Sequence, residues 1–272
     1  MTLSIVDAFA ERPFSGNPAA VCLLDTPAEA AWMQALAGEM NLSETAFVVP
    51  DGAGAFSLRW FTPTVEEALC GHATLAAAHV LFESGALSAG DEARFDTKSG
   101  RLTVRPAGPG TYTMDFPATP PHEAPAPVGA TEVFGRLVWA GRSRFDLFLE
   151  LADEATVRAL APDAVAIAAF GARGVIATAQ ADARADYDVV SRFFAPAVGV
   201  AEDPVTGSAH CALGPYWAAK LGRDTLRCYQ ASARGGHVGV RVLQGSPDGD
   251  RVELTGRAVT VLQGALSDAA AG

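Results

Sequence analysis

Two short stretches of this sequence gather residue types that can hold anions and move protons. The first is Ala201-Glu202-Asp203-Pro204-Val205-Thr206-Gly207-Ser208-Ala209-His210-Cys211, ahead of an apolar and aromatic run (Leu213, Tyr216, Trp217, Ala218, Leu221) that reads as a helix. The second is Cys70-Gly71-His72-Ala73-Thr74, which follows a loop of Thr62, Pro63, Thr64, Glu66 and Glu67 and opens an Ala/Leu/Val run ending near Gly85. The first turn of a helix leaves backbone N–H groups unpaired and carries partial positive charge, so a carboxylate can sit at either place. Gly71 and Ala73 in one stretch, and Gly207 and Ala209 at the matching positions of the other, carry no side chain large enough to block it.

His72 and Ser208 occupy equivalent positions in the two stretches. A histidine there can donate to a bound anion or shuttle a proton. Asp203, fixed by Pro204, is placed to orient that histidine, and its plainer use is helix-start electrostatics. Glu44 stands between Ser43 and Thr45 where a helix turns into a strand, a position that equally suits a solvated corner. Two other chemistries compete. Ser208 with His72 or His210 and Asp203 would make a serine-hydrolase triad, but no GxSxG elbow surrounds Ser208. Cys70, His72, His210 and Cys211 could ligate a metal, although their spacing matches no standard zinc pattern. Gly171-Ala172-Arg173-Gly174 and Ala107-Gly108-Pro109-Gly110 read as turns without a strand–glycine–helix context, so no cofactor is expected and side chains must do the chemistry.

The elements that must carry these residues occur twice in the same order. Residues 3–9 and 19–24 read as strands around the breaker Pro13-Phe14-Ser15-Gly16-Asn17-Pro18. Thr26-Pro27-Ala28-Glu29 predicts a helix start with Thr26 as cap, running to about Met40. Strands follow after Glu44 and at 56–61, then the Gly71 helix, then strand-like runs at 92–96, 102–105 and 111–116. The second half repeats this: an alternating, half-buried strand at 144–151, a helix capped by Asp153 through Leu160, strands at 175–179 and 187–194, and the Gly207 helix. Four strand-like runs then close the chain, the third and fourth bracketing Gly256, with a Ser246-Pro247-Asp248-Gly249 turn before them. The expected division is residues 1–118, a proline-rich linker at 119–127, and residues 128–272, with the C-terminal strand able to return to the first domain. A duplicated pair of this kind would set the two helix starts facing one another across a cleft.

A chain of 272 residues with 49% hydrophobic content supports a sizeable core. A formal charge of −11 and the lack of a basic run argue against a nucleic-acid partner or an anionic membrane surface. The four cysteines, Cys22, Cys70, Cys211 and Cys228, are scattered without CxxC pairing, which suits a reducing compartment; with no signal-like leader and no membrane-spanning run, a cytoplasmic protein is expected.

The sequence resembles the PhzF-like family of phenazine-biosynthesis isomerases, within the diaminopimelate epimerase superfamily. The resemblance is carried by Asp7-Ala8-Phe9 with Phe14-Ser15-Gly16-Asn17-Pro18-Ala19-Ala20-Val21, Leu42-Ser43-Glu44-Thr45-Ala46-Phe47, Arg59-Trp60-Phe61-Thr62-Pro63, Cys70-Gly71-His72-Ala73-Thr74 and Glu202-Asp203-Pro204-Val205-Thr206-Gly207-Ser208-Ala209. It implies an α+β fold of two similar, pseudo-twofold-related domains, each a curled, mostly antiparallel, barrel-like sheet around a central helix. It further implies a homodimer that works without cofactor or metal and moves a proton on a small carboxylate-bearing metabolite. By the same resemblance Glu44 is the acid/base, His72, Asp203 and Ser208 surround it, and Asn17 contacts substrate. The epimerases of the superfamily use two cysteines; Cys70 stands where the first belongs, but Asp203 replaces the second, and Gln230-Ala231 replaces an expected glycine. An epimerase or racemase using Cys70, or a small-acid binding protein without catalysis, are the alternatives.

Overall fold

In the computed structural model, which describes every residue except 53, 247, 248, 268, 271 and 272, the chain separates into two compact units. One comprises Met1–Asp115 with Thr255–Gly272, the other Phe116–Leu254. Up to residue 117 the order is β1 (Thr2–Ala8), β2 (Asn17–Leu23), α1 (Ala30–Met40), β3 (Glu44–Pro50), β4 (Phe56–Phe61), β5 (Glu66–Glu67), α2 (Gly71–Glu83), β6 (Ala93–Thr97), β7 (Gly100–Gly108) and β8 (Thr111–Pro117). Then come β9 (His122–Glu123), α3 (Ala130–Phe134), β10 (Leu137–Arg142), β11 (Leu147–Leu151), α4 (Glu154–Ala159), α5 (Ala164–Ala168), β12 (Val175–Gln180), β13 (Val189–Ala195), β14 (Val200–Asp203), α6 (Gly207–Leu221), β15 (Thr225–Gln230), β16 (Gly236–Leu243) and β17 (Arg251–Ala265). Among the described residues no helix is long and apolar enough to cross a membrane.

The two units share one pairing scheme. In the first, β2 runs parallel to β3, β3 antiparallel to β4, β4 parallel to β6 and β6 antiparallel to β7. In the second the same sequence of relations links β11, β12, β13, β15 and β16. Each parallel pair needs a crossover, and in both units the second crossover carries a short strand followed by the long helix, β5 with α2 and β14 with α6. In the first unit β17 pairs with both β1 and β8, so the strand ring closes on itself. The fold is therefore α+β with curled sheets and few helices. Helix α2 packs against β1, β2, β3 and β7, and every residue from His72 to Leu81 is buried. A helix apolar all round, with Ala76, Ala77 and Ala78 in its middle, belongs inside a sheet and not on its surface. Helix α6 plays the same part in its own unit, where it packs on β15 and β16 and Trp217 Nε1 donates to Thr178 Oγ1 of β12 at 3.1 Å.

Some boundaries differ from those the sequence predicts. Helix α1 begins at Ala30, with Glu29 as its cap residue in extended conformation and no side-chain cap bond. The preceding chain stays with the sheet instead, since Leu24 N–H is taken by Val48 O. Strand β11 starts at Leu147 because Ser143 and Asp146 close a turn, and all of its residues are buried as suits its parallel pairing with β12. The last two expected strands are one, β17, which passes straight through Gly256. That glycine is there for space: a Cβ would lie 2.2 Å from the Phe9 ring. Within 119–127 lies β9, paired with β10, and Thr119 N–H donates to Cys211 O, the carbonyl that Pro215 cannot serve inside α6. Pro247 and Asp248, the centre of the expected 246–249 turn, lie outside the described residues.

Candidate active site

Three sequence segments meet at the start of α2. A loop led by Phe14, whose N–H donates to the buried Asp7 carboxylate at 2.6 Å, turns the chain into β2. Its last corner, Gly16, has φ +65°, and a Cβ there would fall 2.2 Å from Ala8 O, so only glycine closes it. Asn17 is thereby set at the head of β2. Glu44 heads β3, the parallel neighbour of β2 in which Ala19 stands opposite Glu44, after Asn41 has ended α1 in the left-handed conformation. His72 comes from the first turn of α2.

His72 Nε2 lies 3.0 Å from Glu44 Oε2, the side chains being 6% and 17% exposed. Both atoms are buried and, among the described residues, neither makes a hydrogen bond, so the contact is one of proximity and charge. On the opposite edge of the ring, Nδ1 is 3.2 Å from Asn17 Nδ2 and 3.5 Å from Cys70 Sγ. When the ring is neutral, an Asn17 amide donating to Nδ1 leaves the ring proton on Nε2, the edge that faces Glu44. Burial works against a charged ring, but Cys70 and Glu44 beside it outweigh that and hold the His72 pKa well above the ordinary histidine value. Burial first, and then the Glu44 carboxylate, push the Cys70 thiol up to about 11. The arrangement can hold a carboxylate beside a proton donor, and so can take up and return a proton.

Glu44, Cys70 and His72 also form the grouping among the described residues whose donor atoms could hold a metal, all within 4.8 Å of one another. In the ring, Nε2 faces Glu44 and Nδ1 faces Cys70.

In the second unit the start of α6 is built differently. Asp203 ends β14, and its Oδ2 accepts from Thr206 Oγ1 at 2.5 Å. Gln230, fully buried at the end of β15, accepts the Thr206 N–H at 2.9 Å and donates to Asp203 O at 2.7 Å. Where a glycine was expected, this chain thus has a side chain that locks the corner. Ser208 Oγ accepts from Arg173 Nη2 at 3.0 Å. His210 is buried with Nδ1 bonded to Thr206 O at 2.8 Å, and Cys211 is buried on the helix.

Several residues to which the sequence assigned no role position the two helix starts. Arg59 of β4 grips Glu66 of β5 through two bonds of 2.7 and 2.9 Å, and Arg192 of β13 grips Glu202 of β14 with the same lengths. Each pair moors the strand that leads into a central helix. The signal was available in the repeat Arg59-Trp60-Phe61-Thr62-Pro63 and Arg192-Phe193-Phe194-Ala195-Pro196. Arg173 and Gln230 had none.

A sequence profile of phenazine biosynthesis-like proteins matches residues 6–264. An uncharacterized isomerase of Halalkalibacterium halodurans is 47% identical over 266 residues, covering 96% of this chain and 97% of that one. The crystal structure of a PhzF-family phenazine biosynthesis protein from Enterococcus faecalis superposes with a TM-score of 0.91 at 42% identity, covering 98% of each chain. A hydroxyproline epimerase from Agrobacterium vitis shares the fold at 14% identity, with a TM-score of 0.66 over 97% of this chain and 91% of its own. With a match over nearly its whole length and relatives of this identity, the chain belongs to the phenazine biosynthesis-like, or PhzF-like, family.

Proposed function

We propose that this protein is a cofactor-independent isomerase that moves a proton between two carbons of a small carboxylate-bearing metabolite, with Glu44 as the acid/base. The observation that carries the reading is the approach of Glu44 Oε2 to His72 Nε2 at 3.0 Å, both atoms buried and neither hydrogen-bonded among the described residues. Glu44 takes a proton from one carbon, the electron pair shifts through the adjacent unsaturation, and the same carboxyl returns the proton to another carbon. Asp203 and Ser208 are assigned to the same reaction. The N–H groups of Gly71, Ala73, Gly207 and Ala209 are assigned to the substrate's carboxylate and to the charge that develops on it. The isomerase names of the relatives support the reaction class. Cys70 is a poor base here, since a thiol pushed up to about 11 yields little thiolate at neutral pH. The homodimer implied by the family resemblance belongs to the same proposal, and light scattering of the purified protein reads it directly.

The test is deuterium uptake from heavy water into a panel of small unsaturated carboxylates, followed by mass spectrometry. Glu44→Gln should lose about 10²- to 10⁴-fold of the exchange rate while binding changes only slightly, and Cys70→Ser should retain it. Wild-type exchange by Glu44→Gln, or its loss in a folded Cys70→Ser, would refute this assignment.

A further inference from the structure

Arg173 lies in a turn that the proposed reaction does not use, yet it is firmly anchored beside the start of α6. Its Nε and Nη2 donate to Asp146 Oδ1 and Oδ2 at 2.9 and 2.6 Å. The Asp146 side chain is 1% exposed, and its backbone N–H is tied to Ser143 Oγ at 3.1 Å. The guanidinium also lies against the Phe145 and Phe193 rings, 5.1 and 5.6 Å from their centroids. A planar fork held by a buried carboxylate and two rings has one orientation, and in it Nη2 reaches Ser208 Oγ at 3.0 Å.

An arginine donates and never accepts, so Ser208 Oγ is the acceptor in this bond. A hydroxyl has one proton, and with a lone pair taken by a cation that proton becomes both free to leave the pair and a stronger donor. We infer that Arg173 is a positioning residue for Ser208, fixing its hydroxyl as a hydrogen-bond donor to an anionic oxygen of the substrate. Ser208 then serves neither as base nor as nucleophile. Its role is to select carboxylate over neutral amide. The inference rests on the assignment of Ser208 to the substrate.

Benzoate and its uncharged isostere benzamide, titrated by calorimetry, test it. Wild type should prefer benzoate, and Ser208→Ala should lose about tenfold of that preference, while Ser208→Thr, which keeps the hydroxyl, retains it. Arg173→Gln alone would leave Asp146 buried and unpaired, so Asp146→Asn/Arg173→Gln is used beside it. A folded double variant should lose the preference as Ser208→Ala does, and adding Ser208→Ala to it should cost nothing more. An unchanged preference in the double variant, additive losses, or a wild type indifferent between the two probes overturns the inference. Each of these outcomes leaves the deuterium exchange of Glu44→Gln to judge the reaction separately.

Discussion

The two edges of the His72 ring make different demands on their neighbours. Glu44 faces Nε2, and the Nδ1 edge decides how the ring is turned toward it. Asn17, expected at the substrate, lies 3.2 Å from Nδ1, where its side chain holds the ring in place. Asn17→Ala should therefore lower kcat by about tenfold or more, as loss of an orienting partner commonly does, with little change in KM. Steady-state kinetics on any substrate that the deuterium assay uncovers reads the split. A rise in KM with kcat unchanged would return Asn17 to the role of substrate ligand. The residue identities at this centre were legible because Glu44, His72 and Asn17 sit in compact motifs. Their mutual contacts were not, since Asn17 and His72 are joined only by a sheet closing round a helix.

At the scale of elements, the recurrence of strand, loop and helix was readable because the two Gly-initiated helices follow similar strands. The start of α1 was misjudged because a cap motif in sequence competes with a sheet that is still pairing at Leu24. The break expected at Gly256 failed for another reason: glycine there makes room for Phe9 without bending the chain. Gln230 shows what a local motif cannot disclose. It sits in β15, yet its amide holds the Thr206 N–H and the Asp203 carbonyl. Gln230→Ala should leave both unpaired in a buried corner and cost about 1–3 kcal/mol of stability. Urea denaturation measures it, and a midpoint unchanged from wild type would show that the corner holds itself.

The whole molecule carries buried histidines whose titration works in opposite directions. Burial pushes His210 down from its ordinary 6.5 to about 4, and burial lowers His79 too. For both, the unfolded chain takes up the proton first, so the stability they contribute is complete above 6.5 and is lost as pH falls from there toward the folded value. For His210 the loss by about pH 4 is on the order of 3 kcal/mol. His72, held high, has the reverse sign: its contribution is complete below 6.5 and is lost as pH rises through its folded pKa. Urea midpoints of wild type and His210→Gln between pH 7 and 4 should converge as the wild type weakens. Parallel curves would remove His210 as the cause. The hydrogen bond from Thr119 N–H to Cys211 O has a consequence of its own. Because Pro215 cannot supply the partner, an amide 92 positions away along the chain, counting from 119 to 211, fills the helix's internal gap. That single proton should exchange with solvent only when α6 loosens. In a nitrogen-15 spectrum of heavy-water exchange, the Thr119 peak would then act as a clock for the opening of α6. Its persistence after the amides of nearby surface loops have faded would measure how tightly that helix is held.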